Sequence, residues 1–66
     1  MDSDLLTYHM KRNGQTRQDV SAALGISLKS LNNKMAGHTE FKASEILKIN
    51  SLCKLSPDEL VRIFFS

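Results

Sequence analysis

Basic side chains concentrate in the first two thirds of the chain, where they could bind phosphate. Residues 11–42 contain six basic and two acidic side chains, a net charge of +4, whereas the other residues contain three basic and five acidic ones, a net charge of −2. A basic stretch of this kind is the electrostatic footprint expected of a polyanion-binding surface. Ordinary solvated charge is the alternative. The six basic residues are Lys11, Arg12, Arg17, Lys29, Lys34 and Lys42.

Residues that could carry covalent or metal chemistry are few. Cys53 is the one cysteine, so no intramolecular disulfide can form, and a small buried apolar residue is its simplest interpretation. His9 and His38 do not lie at metal-ligand spacing from it. No Ser/His/Asp or Cys/His arrangement, phosphate-binding loop or cleft with paired carboxylates is recognisable. We therefore expect neither an enzyme nor a bound metal or cofactor.

The length and composition of the chain limit the number of domains that it can form. Its 66 residues, 41% hydrophobic and 24% charged, are typical of one globular domain with a small core, spanning residues 1–66. No apolar run is long enough to cross a membrane. Asp2 and Asp4 have the wrong charge for the start of a secretory signal. These features predict a cytoplasmic protein with no small-molecule ligand.

Residues typical of helix starts and ends predict five helices in this chain. No strand is predicted, so we expect an all-α fold. The predicted helices cover residues 4–13, 17–24, 28–36 and 43–54, with a last helix from residue 57. Thr16, Ser27 and Ser56 are the expected N-caps of three of them. Asp19 follows Thr16 at the spacing of a capping box, and Gly25 is expected in a left-handed conformation.

The third predicted helix has one apolar and one polar face. Leu31 and Met35 have the spacing of inward-facing residues. The remaining positions are mostly short and polar: Lys29, Ser30, Asn32 and Asn33.

Residues 17–36 have the features of a helix-turn-helix motif. The connection Leu24-Gly25-Ile26-Ser27 is too short for antiparallel stacking, so the two helices must cross at a large angle. Such a crossing needs a small residue where the helices approach, which Ser21 or Ala22 supplies. It also needs a glycine in the turn, which Gly25 supplies.

The sequence TRQDVSAALGIS at residues 16–27, followed by Leu31 and Gly37, resembles the phage repressor and Cro family of helix-turn-helix proteins, the lambda-type or XRE group. The resemblance covers essentially the whole chain, including LSPDEL at residues 55–60. It implies a five-helix, lambda-repressor-like domain that binds an operator in double-stranded DNA on the bacterial nucleoid. It also implies transcriptional regulation, as a phage or prophage repressor. The alternative on the same fold is a protein-interaction module, such as an antitoxin or an anti-repressor.

The resemblance places the third helix, residues 28–36, in the major groove. Lys29 suits guanine, an Asn amide suits adenine, and Leu28 could pack against a thymine methyl, although a solvated face is the alternative for both Asn residues. The implied base contacts are Leu28, Lys29, Asn32 and Asn33. The implied phosphate contacts are Arg17, Gln18, Ser30, Lys34, His38, Thr39 and Lys42. For His38 an ordinary loop residue is an equal alternative.

The sequence departs from the family pattern at three places. Arg17 occupies a position where Gln is usual. Met10 and Met35 occupy positions where many members have an internal ion pair, so we expect the two methionines to contact each other. Lys34 stands where an apolar residue is common, and we expect it to point toward a DNA phosphate.

The C-terminal segment is rich in apolar residues. Proteins of this family generally bind DNA as two-fold dimers. Phe64 and Phe65 are therefore candidates for a homodimer contact, although the alternative is that they close the monomer core.

Overall fold

Five helices form in a computed structural model of the chain, which describes residues 1–65. They are α1 (Ser3–Arg12), α2 (Arg17–Leu24), α3 (Leu28–Met35), α4 (Ala43–Cys53) and α5 (Pro57–Phe64). The described residues contain no strand, so the all-α prediction is confirmed. The third helix ends at Met35, with Ala36 as its C-cap, one residue earlier than predicted. Ser66, the last residue of the predicted domain, lies outside the described residues.

Local side-chain hydrogen bonds fix where the helices begin. The Thr16 hydroxyl accepts from the Asp19 N–H at 3.1 Å, and the Asp19 carboxylate accepts from the Thr16 N–H at 2.9 Å. This is the predicted capping box. Ser27 accepts from the Ser30 N–H at 3.0 Å, so its predicted role as an N-cap is also confirmed.

The connection between α2 and α3 depends on a left-handed glycine. Gly25 has φ 69° and ψ 31°, a conformation that costs other residues steric strain. The Ile26 N–H then donates to the Ser21 carbonyl at 3.0 Å, which closes the turn. Of the two small residues expected at the helix approach, Ser21 is buried and Ala22 is exposed. The two helices pack directly against each other.

All five helices contribute to one core. It contains Leu6 and Met10 of α1, Val20 and Leu24 of α2, Leu31 and Met35 of α3, Ile49 and Cys53 of α4, and Ile63 of α5. Both methionines are thus seated in the core, while a direct contact between them stays a prediction. Burial raises the pKa of the Cys53 thiol, which keeps it protonated and unreactive, as expected of a structural cysteine.

The last helix is attached chiefly to the first. The Asp2 N–H donates to the Ile63 carbonyl at 2.7 Å, and His9 Nε2 lies 3.3 Å from a Glu59 carboxylate oxygen. Phe64 packs edge-on against Phe41, with ring centroids 5.5 Å apart. None of the described helices is long and apolar enough to cross a membrane.

Candidate nucleic-acid interface

Several side chains on the outer surface of α3 are exposed to solvent. Leu28, Lys29 and Asn32 are exposed, whereas Leu31 and Met35 are buried. Ser30 and Asn33 lie at the boundary and are half-buried. The separation of α3 into a buried and a polar face, which the sequence predicts, is therefore confirmed.

A hydrogen bond joins this face to the start of α2. Arg17 Nη1 donates to Asn32 Oδ1 at 2.6 Å, across the turn between the two helices. The bond orients the Asn32 carboxamide, so that its Nδ2 is left to donate elsewhere. The sequence predicts separate roles for Arg17 and Asn32 but does not predict their contact. The contact depends on the angle at which α2 and α3 cross, and the spacing of residues in the sequence does not give that angle.

The start of α2 also offers unpaired backbone donors. The first hydrogen bond within this helix runs from the Val20 N–H to the Thr16 carbonyl at 3.0 Å. The N–H groups of Arg17 and Gln18 precede it, and both residues are exposed. Together with the positive end of the helix dipole, these groups make the start of α2 favourable for an anion.

Lys34 points into the protein, so the prediction that it points toward a phosphate is wrong. Its Nζ lies 3.2 Å from Glu45 Oε1 and donates to the Glu40 carbonyl at 3.1 Å. It also lies 5.9 Å from the centroid of the Phe41 ring, in reach of a cation–π interaction. The side chain is only 12% exposed. Because Glu45 and the 40–41 loop already hold the ammonium, Lys34 ties α3 to α4.

Glu45 is the buried partner of Lys34, and it is not among the residues predicted from the sequence. Its Oε1 also accepts from the Lys42 N–H at 2.7 Å. Burial opposes ionisation of the carboxyl, but the Lys42 N–H and the Lys34 ammonium outweigh it, so the pKa of Glu45 lies below its ordinary value. The available signal was an acid three residues after Lys42 at a helix start, the spacing of a capping interaction.

The lowered pKa predicts a specific acid sensitivity. Stabilisation from Glu45 is complete above its ordinary pKa of 4.5 and is lost as pH falls through the lower folded-state pKa. At pH values below about 4.5, we expect the free energy of unfolding to decrease as the pH is lowered. In Glu45→Gln this decrease should be shallower than in the wild type. Urea unfolding followed by circular dichroism across this range measures both.

Some acid sensitivity should persist in Glu45→Gln. The pKa values of Asp19 and Glu59 are also lowered, chiefly because each carboxylate accepts the N–H of its helix cap, Thr16 and Ser56 respectively. A variant that loses stability as steeply as the wild type on acidification would show that Glu45 contributes nothing to this dependence.

The loop after α3 carries three more of the predicted contact residues. His38, Thr39 and Lys42 are all exposed. The loop is held at both ends, because Lys34 bonds to the Glu40 carbonyl and Glu45 bonds to the Lys42 N–H. Lys34 and Glu45 therefore act on this surface indirectly, by fixing the segment that bears the exposed side chains.

The described residues contain no group of three or more His, Cys, Asp or Glu that could hold a metal ion. His9, Cys53 and Glu59 border one cavity of about 280 Å³, but the Cys53 thiol is buried and its raised pKa disfavours the reactive thiolate. Burial therefore disfavours a role for the Cys53 thiol as a nucleophile.

Comparison with known proteins gives no match: no protein-family model fits the chain, and no curated protein or solved structure is significantly similar to it. The resemblance of residues 16–27 to the repressor family thus stays a prediction.

Proposed function

We propose that this protein is a helix-turn-helix regulator of transcription that binds specific sites in double-stranded DNA, with α3 in the major groove. One observation carries the proposal. The exposed, polar face of α3 is bonded through Asn32 to Arg17, at the anion-favouring start of α2. A lambda-repressor-like fold and a phage or prophage repressor role belong to the same proposal.

The exposed face of α3 has the chemistry needed to read bases. Lys29 would donate to guanine O6 and N7, and Leu28 would pack against a thymine methyl. Arg17 occupies one lone pair of Asn32 Oδ1. The amide Nδ2 is left to donate to a purine N7, and the second lone pair of Oδ1 is left to accept from adenine N6. Asn33 is half-buried and would contribute at the edge of this surface.

Phosphate contacts would come from both sides of α3. The exposed start of α2, with Arg17 and Gln18, would bind one strand. The exposed loop side chains His38, Thr39 and Lys42 would bind the other, and half-buried Ser30 would contribute less. Lys34 is not part of this set, because its ammonium is engaged with Glu45.

A second copy of the chain would complete the operator contact. One domain of this size covers little DNA, and two-fold dimers on paired half-sites are the usual solution. Phe65 is 67% exposed, whereas Phe64 packs against Phe41 and the core. Of the two candidate residues for a homodimer contact, we therefore favour Phe65.

Replacing Lys29 by Ala tests the groove contact. After binding sites have been selected from random duplexes, Lys29→Ala should weaken binding to the selected site by about 1–3 kcal/mol and relax base preference at one position. Lys42→Ala should instead weaken binding to all duplexes about equally. Fluorescence anisotropy titrations measure both effects.

Lys48→Ala is the matched control, since Lys48 is an exposed helical lysine outside the proposed contacts. If Lys29→Ala binds the selected site as well as this control does, α3 does not read bases through Lys29.

A protein-interaction module is the second candidate. Large apolar side chains are exposed on the last two helices and just after them, at Leu47, Val61 and Phe65. Exposed apolar groups of this size are common at protein interfaces. Salt-insensitive binding to a protein partner, with no binding to duplex DNA, would favour an antitoxin or anti-repressor over the regulator.

A further inference from the structure

A groove of about 440 Å³ lies between the C-terminal half of α1 and the start of α2. Met10 contributes to its predominantly apolar lining, while Lys11, Gln15 and Arg17 contribute polar groups. Arg17 therefore belongs both to this groove and to the surface formed with Asn32 of α3. The groove continues the proposed DNA-binding surface onto α1.

The groove is electrostatically suited to an anion. Its lining includes two cationic side chains, Lys11 and Arg17, and no acidic one. Lys11 is exposed and has no ion pair or side-chain hydrogen bond within residues 1–65. Its neighbour Arg12 is directed elsewhere, toward Tyr8 and the Glu59 carboxylate. Lys11 is thus the cation of α1 that is available to a ligand.

The shape of the groove favours an extended sugar–phosphate chain over a small anionic molecule as its ligand. A small-molecule site normally encloses most of its ligand's surface. This groove is open to solvent and would leave much of a small molecule exposed. An extended sugar–phosphate chain needs an open channel of this kind, with cations for the phosphate and an apolar wall for the deoxyribose.

We propose that the groove binds one sugar–phosphate unit of the backbone of duplex DNA, with Lys11 and Arg17 on the phosphate and the apolar part of the lining against the sugar. The inference rests on the proposed DNA-binding function and adds Lys11 and the end of α1 to the interface. A contact of this kind carries no base information, so it positions the domain on the duplex.

The salt dependence of DNA binding tests the groove directly. Lys11→Gln should weaken binding to all duplexes about equally, leave base preference unchanged, and reduce the slope of log affinity against log salt by about 1. Lys11→Arg should keep the wild-type slope. Lys48→Gln, which removes an exposed helical lysine outside the groove, should leave both affinity and slope unchanged.

Single methylphosphonate substitutions along the selected duplex then locate the contact. Neutralising the phosphate that lies in the groove should weaken wild-type binding but cause a smaller loss in Lys11→Gln, because the lysine partner of that phosphate is already missing. Equal losses in the two proteins at every phosphate would overturn the assignment.

The remaining outcomes separate this inference from the proposed function. If the wild type binds a selected duplex and Lys11→Gln keeps the wild-type slope of log affinity against log salt, the groove does not bind the DNA backbone. The proposed DNA-binding function is then unaffected. If the wild type binds no duplex at any salt concentration, both fail. If sodium octanoate shifts the NMR signals of Lys11 and Arg17 while Lys11→Gln keeps the wild-type slope, the groove binds small anions instead of DNA.

Discussion

Replacing Glu45 by Leu should destabilise the protein by about 3 kcal/mol, near the lower end of the cost of breaking a buried ion pair. The substitution leaves the Lys34 ammonium without its carboxylate in a site where it is 12% exposed. It also removes the acceptor of the Lys42 N–H. The long Lys34 side chain moderates the loss, because it can carry its charge part of the way to water.

The double variant Lys34→Met/Glu45→Leu separates the cost of an unpaired charge from the value of the pair. Exchanging both ions for apolar groups of similar size removes the burial penalty as well as the attraction. We expect its free energy of unfolding to be close to that of the wild type, and therefore well above that of Glu45→Leu. These two proteins form a double-mutant cycle with the wild type and the single variant Lys34→Met. Urea unfolding of all four at neutral pH gives the coupling energy between Lys34 and Glu45.

An uncoupled result would contradict the structure. If the losses in the two single variants add up to the loss in the double variant, then Lys34 and Glu45 do not interact energetically. The same proteins also test the indirect role of the pair. Glu45→Leu, under conditions where it is folded, should bind DNA less well by loosening the loop that bears His38, Thr39 and Lys42.

The helices could be predicted from the sequence because their boundaries are set by local chemistry. The Thr16–Asp19 capping box, the Ser27 cap and the left-handed Gly25 each act within a few residues, so pattern and spacing are sufficient to find them. Leu31 and Met35 follow from helical periodicity for the same reason. These features also determine which face of α3 is exposed, and hence most of the candidate interface.

The errors occurred where side chains distant in sequence meet. The sequence predicts that Lys34 points toward a DNA phosphate, but its position is decided by Glu45, eleven residues later and on another helix. The Arg17–Asn32 bond depends in the same way on how α2 and α3 cross. Sequence periodicity identifies the face on which a residue lies, but it does not identify the partner that the fold brings to it.

Truncating Leu31 to Ala should lower the free energy of unfolding by about 2–5 kcal/mol, the usual cost of removing a fully buried leucine side chain. Leu31 is 0% exposed and lies in the core with Val20, Leu24 and Ile49. A domain of this length has a total stability of about 3–10 kcal/mol, so the variant loses a large share of it. Thermal and urea unfolding followed by circular dichroism measure the loss.

Leu28→Ala is the matched control, since it makes the same substitution about one turn earlier in α3, at an exposed position. Leu28 is 39% exposed and packs into no part of the core, so its truncation should change stability by less than about 0.5 kcal/mol. If α3 lies in the major groove, the two variants should weaken DNA binding for different reasons. Leu28→Ala weakens DNA binding in a fully folded protein, whereas Leu31→Ala weakens it only in proportion to the unfolded fraction.

The DNA titrations of this pair should be made at low temperature, where Leu31→Ala keeps its largest folded fraction, and corrected for that fraction. A corrected affinity of Leu31→Ala equal to that of the wild type, beside a reduced affinity of Leu28→Ala, supports the assignment of Leu31 to the core and of Leu28 to the DNA contact. Reduced stability in Leu28→Ala, or unchanged stability in Leu31→Ala, would contradict the burial that the structure gives these two residues.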